Sequence, residues 1–144
     1  MWIAVLALLP ACALAQNWWG SVNLTSLHGH TKKPMNQRNF GLGIEYHRSD
    51  ELIFLAGAYH NSHRRTSVYA LAGWTPLRWG HARFGFTGGL VNGYPNHNDG
   101  KVIPVATGLV RIEGERWGAN IILIPPALKN TPLTLGFQVK YRFY

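Results

Sequence analysis

The chain has 144 residues, with 14 Lys/Arg against 6 Asp/Glu for a formal charge of +8, 16 glycines, 8 prolines and one cysteine. That length holds one domain, a lone cysteine excludes an intramolecular disulfide or a thiolate zinc site, and the scattered Gly and Pro break most helical windows. The charge suits anionic lipid head groups, lipopolysaccharide phosphates or nucleic acid, but only Lys32-Lys33 and Arg64-Arg65 are adjacent, so no nucleic-acid partner is expected.

The first segment is read as separate from the domain. Trp2 to Leu9 form an apolar run, Pro10 breaks it, and Ala13-Leu14-Ala15 has the small-x-small pattern of a secretory cleavage site. The run is too short to span a bilayer as a helix. The expected organisation is a signal peptide over 1–15 and one domain over 16–144, with cleavage after Ala15. A rival reading would place a lipid on Cys12 in Leu9-Pro10-Ala11-Cys12, where proline is unusual.

Beyond Ala15 no stretch sustains a 3.6-residue apolar period, whereas period-two alternation recurs. Phe40, Leu42, Ile44 and Tyr46 share one face opposite Gly41, Gly43, Glu45 and His47. The pattern predicts strands over 18–27, 39–48, 52–60, 66–76, 81–91, 102–112, 117–124 and 132–143. Each is close to the ten residues or so that a tilted strand needs to cross an outer membrane. Links at 28–38, 61–65, 92–101 and 125–131 are longer, and those at 49–51, 77–80 and 113–116 are short. Long outside loops alternating with tight inner turns predict an all-β, eight-stranded antiparallel transmembrane barrel in the outer membrane. A soluble β-sandwich would alternate too. Against it stand the signal segment, the apolar face of the last strand, and Trp18, Trp19, Trp74, Trp79 and Trp117 near strand ends, where an interfacial girdle belongs.

With the apolar face outward, the inward sets follow. On strand five they are His81, Arg83, Gly85, Thr87 and Gly89; on strand eight, Thr134, Gly136, Gln138, Lys140 and Arg142. Charges collect towards the inner end, where Glu45 would pair with Arg83 or Lys140. The outer half is lined by glycine, threonine and small groups, with Ile121 to Ile124 as a greasy wall. Eight strands leave room for side chains or one slender ligand. A narrow slot for an apolar chain is one reading, and glycines that merely relieve crowding are the other.

Acyl chemistry needs a base or nucleophile beside a group that orients it. His28 and His30 enter the first outer loop, and His60-Asn61-Ser62-His63 enters the second. These loops are neighbours in the expected barrel. A metal held by His28, His30, His60 and His63 is disfavoured, since no carboxylate accompanies them.

The sequence resembles the PagP lipid A acyltransferases, outer-membrane barrels that move a palmitoyl chain from a phospholipid to lipid A. The resemblance runs from about Val22 to Tyr144. It rests on Val22-Asn23-Leu24-Thr25-Ser26-Leu27-His28, Phe40-Gly41-Leu42, Ala58-Tyr59-His60-Asn61-Ser62, Gly73-Trp74, Gly85-Phe86-Thr87-Gly88-Gly89, Ile103-Pro104 and Ile124-Pro125 in order. It implies catalytic positions at His28, Asn61 and Ser62, an acyl-pocket floor at Gly73, and a lateral gate for lipid at Pro104 and Pro125. Proline cannot donate to a ladder, so a gap between strands six and seven is also expected physically; simple strand termination is the plainer reading. Asn61 stands where the family has aspartate, Asn23 and Asn39 where it has the prolines of a second opening, and the family's N-terminal clamp helix has no counterpart.

The resemblance implies a phospholipid:lipid A acyltransferase with no cofactor and no metal, acting as a monomer on a phospholipid donor and a lipid A or lipopolysaccharide acceptor. His28 would be the base, Asn61 its orienting partner, and Ser62 an aid to the tetrahedral intermediate. A lipid acyl hydrolase and a non-catalytic lipopolysaccharide-binding barrel are the alternatives. A channel is disfavoured because eight strands leave no open pore.

Overall fold

The computed structural model describes residues 17–29, 37–95, 98–126 and 133–143. The signal segment with its cleavage after Ala15, the alternative at Cys12, and His30 lie outside the described residues. Eight strands form: β1 (Trp18–His28), β2 (Gly41–His47), β3 (Leu52–His60), β4 (Thr66–Trp79), β5 (Ala82–Val91), β6 (Ile103–Glu113), β7 (Trp117–Ile124) and β8 (Thr134–Arg142). Each pairs antiparallel with the next, and β8 returns to β1, so the barrel is closed. The expected fold class is the observed one. Closure removes the sheet edges that an open sheet would leave unpaired.

One boundary differs. A turn was expected over 77–80, but β4 runs on to Trp79. The register against β5 shifts between Trp74 and Leu77, so an extra residue is accommodated there as a bulge. Pro76, with no N–H to donate, sits in that bulge and not in the regular ladder. The strand then resumes and closes through Gly80-His81, where Gly80 takes φ +61, the left-handed conformation a two-residue hairpin turn requires.

Alternation sorts the side chains. Leu42, Val68, Leu77, Phe86 and Leu90 point outward and are more than half exposed, while Glu45, Ser67, Thr87, Thr107, Gln138 and Lys140 point inward and are buried. An apolar sleeve around a polar lumen is the reverse of a water-soluble sandwich. Trp18, Trp79 and Trp117 are exposed on the sleeve near the end that carries the short turns, with Trp18 against Tyr46 and Trp117 against Tyr141. Trp19 is an exception to the expected girdle. It follows Trp18 on the strand, so it must face inward, and there it is 0% exposed, stacked on His47 with Lys140 and Arg142 over its ring.

The turn end of the lumen is filled by one ionic network. Lys140 Nζ donates to Glu45 at 2.6 Å and also to Glu113; Glu113 accepts from Arg111 Nε at 3.0 Å and Nη2 at 3.1 Å. Arg111 Nη1 reaches Thr75 Oγ1 at 3.1 Å, and His47 Nε2 meets Glu45. Of the two partners expected for Glu45, Lys140 is the one found; Arg83 lies 3.4 Å from Asp50 instead. Asn120 Nδ2 extends the network upward, donating to Glu45 at 2.8 Å and to Gln138 at 3.0 Å.

Breaking such a buried pair strands a charge away from water. Lys140→Ala should lower the unfolding free energy by about 3–5 kcal/mol, read from the urea midpoint of the folded barrel. Lys140→Met combined with Glu45→Gln should recover much of that loss. An unchanged midpoint in Lys140→Ala would show that the network adds nothing to stability.

Candidate active site

Above the ionic network, in the half of the lumen nearer the long loops, lies a cavity of about 180 Å³. Its wall is largely apolar: Leu55 from β3, Leu71 from β4, Val91 from β5, Val105 and Leu109 from β6, Ile122 and Ile124 from β7. Gln138 and Asn23 line it below, where Gln138 Nε2 donates to Asn23 at 2.7 Å and to Tyr69 Oη at 3.3 Å. Polar groups therefore close the bottom by bonding to one another.

Its mouth carries His28, Ser62 and His63. His28 ends β1, and Ser62 lies just past the end of β3, in the loop that leads to β4. His28 Nε2 and Ser62 Oγ are 2.7 Å apart, a hydrogen bond between residues 34 positions apart in sequence. The Nδ1 atom of the same ring is buried and has no hydrogen-bond partner among the described residues. A serine hydroxyl held on an imidazole in this way can be activated as a nucleophile when the ring is neutral.

Asn61 occupies the adjoining position but is engaged elsewhere. Its Oδ1 accepts from the N–H of His63 at 2.9 Å and of Arg65 at 3.0 Å. Its Nδ2 donates to Ser67 Oγ at 2.9 Å and to the Gly93 carbonyl at 2.8 Å. An amide has two lone pairs and two N–H bonds to give, and these four contacts use all of them. Asn side chains commonly fold loops in this way, by mimicking a backbone turn. Arg64 takes φ +60 within the same turn. Asn61 thus braces the loop that presents Ser62 and is fully buried in doing so.

Several glycines of the lumen face large neighbours. A Cβ on Gly73 would meet Ile53 Cγ1 at 2.8 Å and Leu109 Cδ2 at 3.4 Å. Gly73 does face inward, but it does not line the cavity, because Ile53 packs over it. Leu109, which lines the cavity, lies beside Gly73 on the cavity's side. Gly43 and Gly57 likewise make room for the Tyr69 hydroxyl, which a Cβ would approach to 2.6 and 2.8 Å. Here crowding relief is the right reading. The space freed at Gly57 and Gly73 is taken by the residue paired with each, Tyr69 and Ile53, and Tyr69 also reaches over Gly43.

Tyrosines close one side of the mouth, and the strand pattern alone did not mark them as a group. Tyr59 and Tyr94 hydrogen-bond through their hydroxyls, Tyr59 packs on Tyr69 with ring centroids 5.9 Å apart, and His63 meets Tyr94 edge-on. Burial pushes the Tyr94 phenol above its ordinary range, so it stays a protonated donor or acceptor. Inward parity was the only available signal, and it covers Tyr59 and Tyr69 alone.

The wall around the cavity is incompletely laddered in two places. Among the described residues, pairing of β6 with β7 runs from Glu113↔Gly118 to Gly108↔Leu123, and Ile103–Thr107 pair with β5 alone. Pro104 lies in that unpaired stretch, and Pro125 directly follows the end of β7. Pairing of β1 with β2 stops at Asn23↔Gly41. Above it, side chains bridge the gap: Thr25 Oγ1 donates to the Gln37 carbonyl at 2.6 Å, Ser26 bonds Asn39, and Asn39 Nδ2 donates to the His60 carbonyl at 2.8 Å. Asn39 holds a seam together there without a regular ladder.

A cluster with metal-ligand chemistry lies at the other end, where atoms of Glu45, His47 and Glu113 fall within 4.8 Å of one another. Lys140 Nζ bonds both carboxylates, so the cationic charge these groups need comes from the chain itself.

The sequence matches no protein-family model and no curated protein. Among solved structures, the N-terminal β-barrel domain of Pseudomonas aeruginosa OprF is similar, with a TM-score of 0.52 and 15% identity over 89% of this chain and 98% of that one. At that identity the likeness shows the fold, an outer-membrane-type eight-stranded barrel, and nothing finer.

The engagement of Asn61 leads to an unusual expectation. Asn61→Asp would turn a carboxylate oxygen towards the Gly93 carbonyl and lose two donated bonds. It should cost about 1–3 kcal/mol of stability and lower any activity of the site, although it installs a carboxylate beside Ser62. A melt that rises, or a faster enzyme, would reject the bracing role.

Proposed function

We propose that this chain is an outer-membrane acyltransferase that moves a fatty acyl chain from a phospholipid to lipid A, as its resemblance to the PagP family implies. One observation carries the reading: a histidine–serine hydrogen bond of 2.7 Å at the mouth of an apolar cavity. The apolar sleeve and exposed aromatic residues support a membrane setting, and barrels of this kind carry their long loops outside.

The chemistry follows from the two side chains. Ser62 Oγ attacks the ester carbonyl carbon of the donor while His28 Nε2 takes the hydroxyl proton. The carbon–oxygen bond to glycerol breaks, and the departing oxygen leaves with that proton. The acyl group then sits on Ser62, with its alkyl chain in the cavity. An acceptor hydroxyl gives its proton to His28 and attacks the same carbon; the bond from that carbon to Ser62 Oγ breaks, and Oγ takes the proton from His28. Asn61 acts by holding the Ser62 loop. The apolar walls keep water from competing, and the unladdered stretch beside Pro104 and Pro125 offers chains a sideways path from hydrocarbon into the slot.

Slot depth bears on chain length. On β6 its lining runs from Ile103 to Leu109. That is about 20 Å along the strand at ~3.3 Å per residue, and about 15 Å along the axis at a tilt of ~40°. Carbon–carbon bonds of ~1.5 Å advance an extended alkyl chain by roughly 1.25 Å per carbon, so about a dozen carbons fit above Leu109.

Mass spectrometry of lipid A from expressing cells tests the function. One added acyl chain is expected with the wild-type chain, and a loss in rate on the order of 10³-fold or more with Ser62→Ala or His28→Ala. Free fatty acid with no acylated product would replace transfer by hydrolysis; no change in any lipid would leave the non-catalytic barrel. Leu109→Ala should shift selection towards longer chains, whereas Gly73→Ala, lying under Ile53, should cost stability and leave chain length alone.

A further inference from the structure

The charge of this barrel is strongly sided. Among the described residues, the segments joining strands at the long-loop end carry four cations, Arg38, Arg64, Arg65 and Lys101, against a single anion, Asp99. Four less one leaves +3 at that rim. The short turns at the other end carry Arg48 and Arg116 against Asp50, Glu51 and Glu115, two cations against three anions. Strand charges add +3, several of them locked in the lumen. The ion pairs also gather at the turn end, and Arg64, Arg65 and Lys101 are exposed and take part in none among the described residues.

A barrel needing only solubility would gain nothing by concentrating cations at one rim. Like charges on neighbouring loops repel, and that cost is offset when anions lie above them. We infer that the long-loop rim is a phosphate-recognition surface that holds the phosphorylated head group of a membrane glycolipid beside Ser62. The inference rests on the proposed function for the identity of that lipid as the acyl acceptor. Arginine suits the role, since its planar fork grips two phosphate oxygens at once. Arg64 and Arg65 follow Ser62 by two and three residues in a loop braced by Asn61. A phosphate bound there would bring the sugar hydroxyls of the same head group to the mouth of the cavity, so the rim would orient the acceptor and the cavity would hold the transferred chain.

The experiment measures binding apart from turnover. The protein in zwitterionic detergent is titrated with lipid A bearing its phosphates and with the same lipid after phosphatase treatment. The phosphorylated lipid should bind more tightly, with an affinity that falls as salt rises. The combined variant Arg64→Asn, Arg65→Gln, Lys101→Gln should lose between about tenfold and a hundredfold of that affinity, with folding checked by the heat-dependent gel shift of the barrel. Asn is chosen at position 64 because it tolerates the left-handed backbone there. Equal binding of both lipids, an unaffected triple variant, or equal saturation by inorganic phosphate alone would overturn the inference. Phosphate-selective binding by a chain that adds no acyl group to lipid A would sink the acyltransferase reading and leave the rim standing. Acyl transfer that is indifferent to both the phosphates and the triple variant would do the reverse.

Discussion

The buried ammonium of Lys140 is the constraint from which the rest of the lumen follows. Buried away from bulk solvent, it must be met by carboxylates, and Glu45 from β2 and Glu113 from β6 converge on it from across the barrel. Those carboxylates need further donors, which Arg111, His47 and Asn120 supply. Ties spanning β2, β6, β7 and β8 fill the turn end with side chains and fix its cross-section. Any empty space has to lie above. The cavity is blind because its bottom is the upper edge of this network, where Gln138 and Asn23 bond to each other.

Above the network the lumen changes character within a few residues. The inward positions of β6 pass from Arg111 to Leu109, then Val105 and Ile103, and β7 contributes Ile122 and Ile124. Burial of apolar groups in a narrow lumen leaves them little to pack against except one another or a guest chain. His28 and Ser62 meet where this apolar space reaches the loops. Under the proposed function, an acyl tail and a polar head would each find a matching environment there.

Much of the fold was legible before any coordinates. Seven of the eight predicted strands match within about two residues, because a half-buried strand writes its two faces directly into the sequence. The exception, β4, continued past Pro76 because a bulge removed the proline from the ladder, and bulges leave no periodic signal. Trp19 was assigned to the girdle by its residue type, although its parity opposes that of Trp18 and already pointed inward. In the site, His28 and Ser62 were nominated and are adjacent in space. Asn61 was given an orienting role, whereas its amide bonds the loop and a neighbouring strand. Gly73 was read as a pocket floor, but a glycine only declares that its own side chain is missing, not which neighbour fills the room.

By itself the amino-acid sequence determined the number of strands, the order of long and short links, the apolar outer face and the placing of charge towards one end. These are local properties, set by a two-residue period and by turn chemistry within a few positions. Only the tertiary structure decided that Lys140 pairs with Glu45 and Glu113 while Arg83 goes to Asp50, that Ile53 covers Gly73, and that Asn61 spends its amide on the backbone. Each depends on how far neighbouring strands are staggered when the sheet closes. That stagger belongs to the barrel as a whole and is encoded in no single strand.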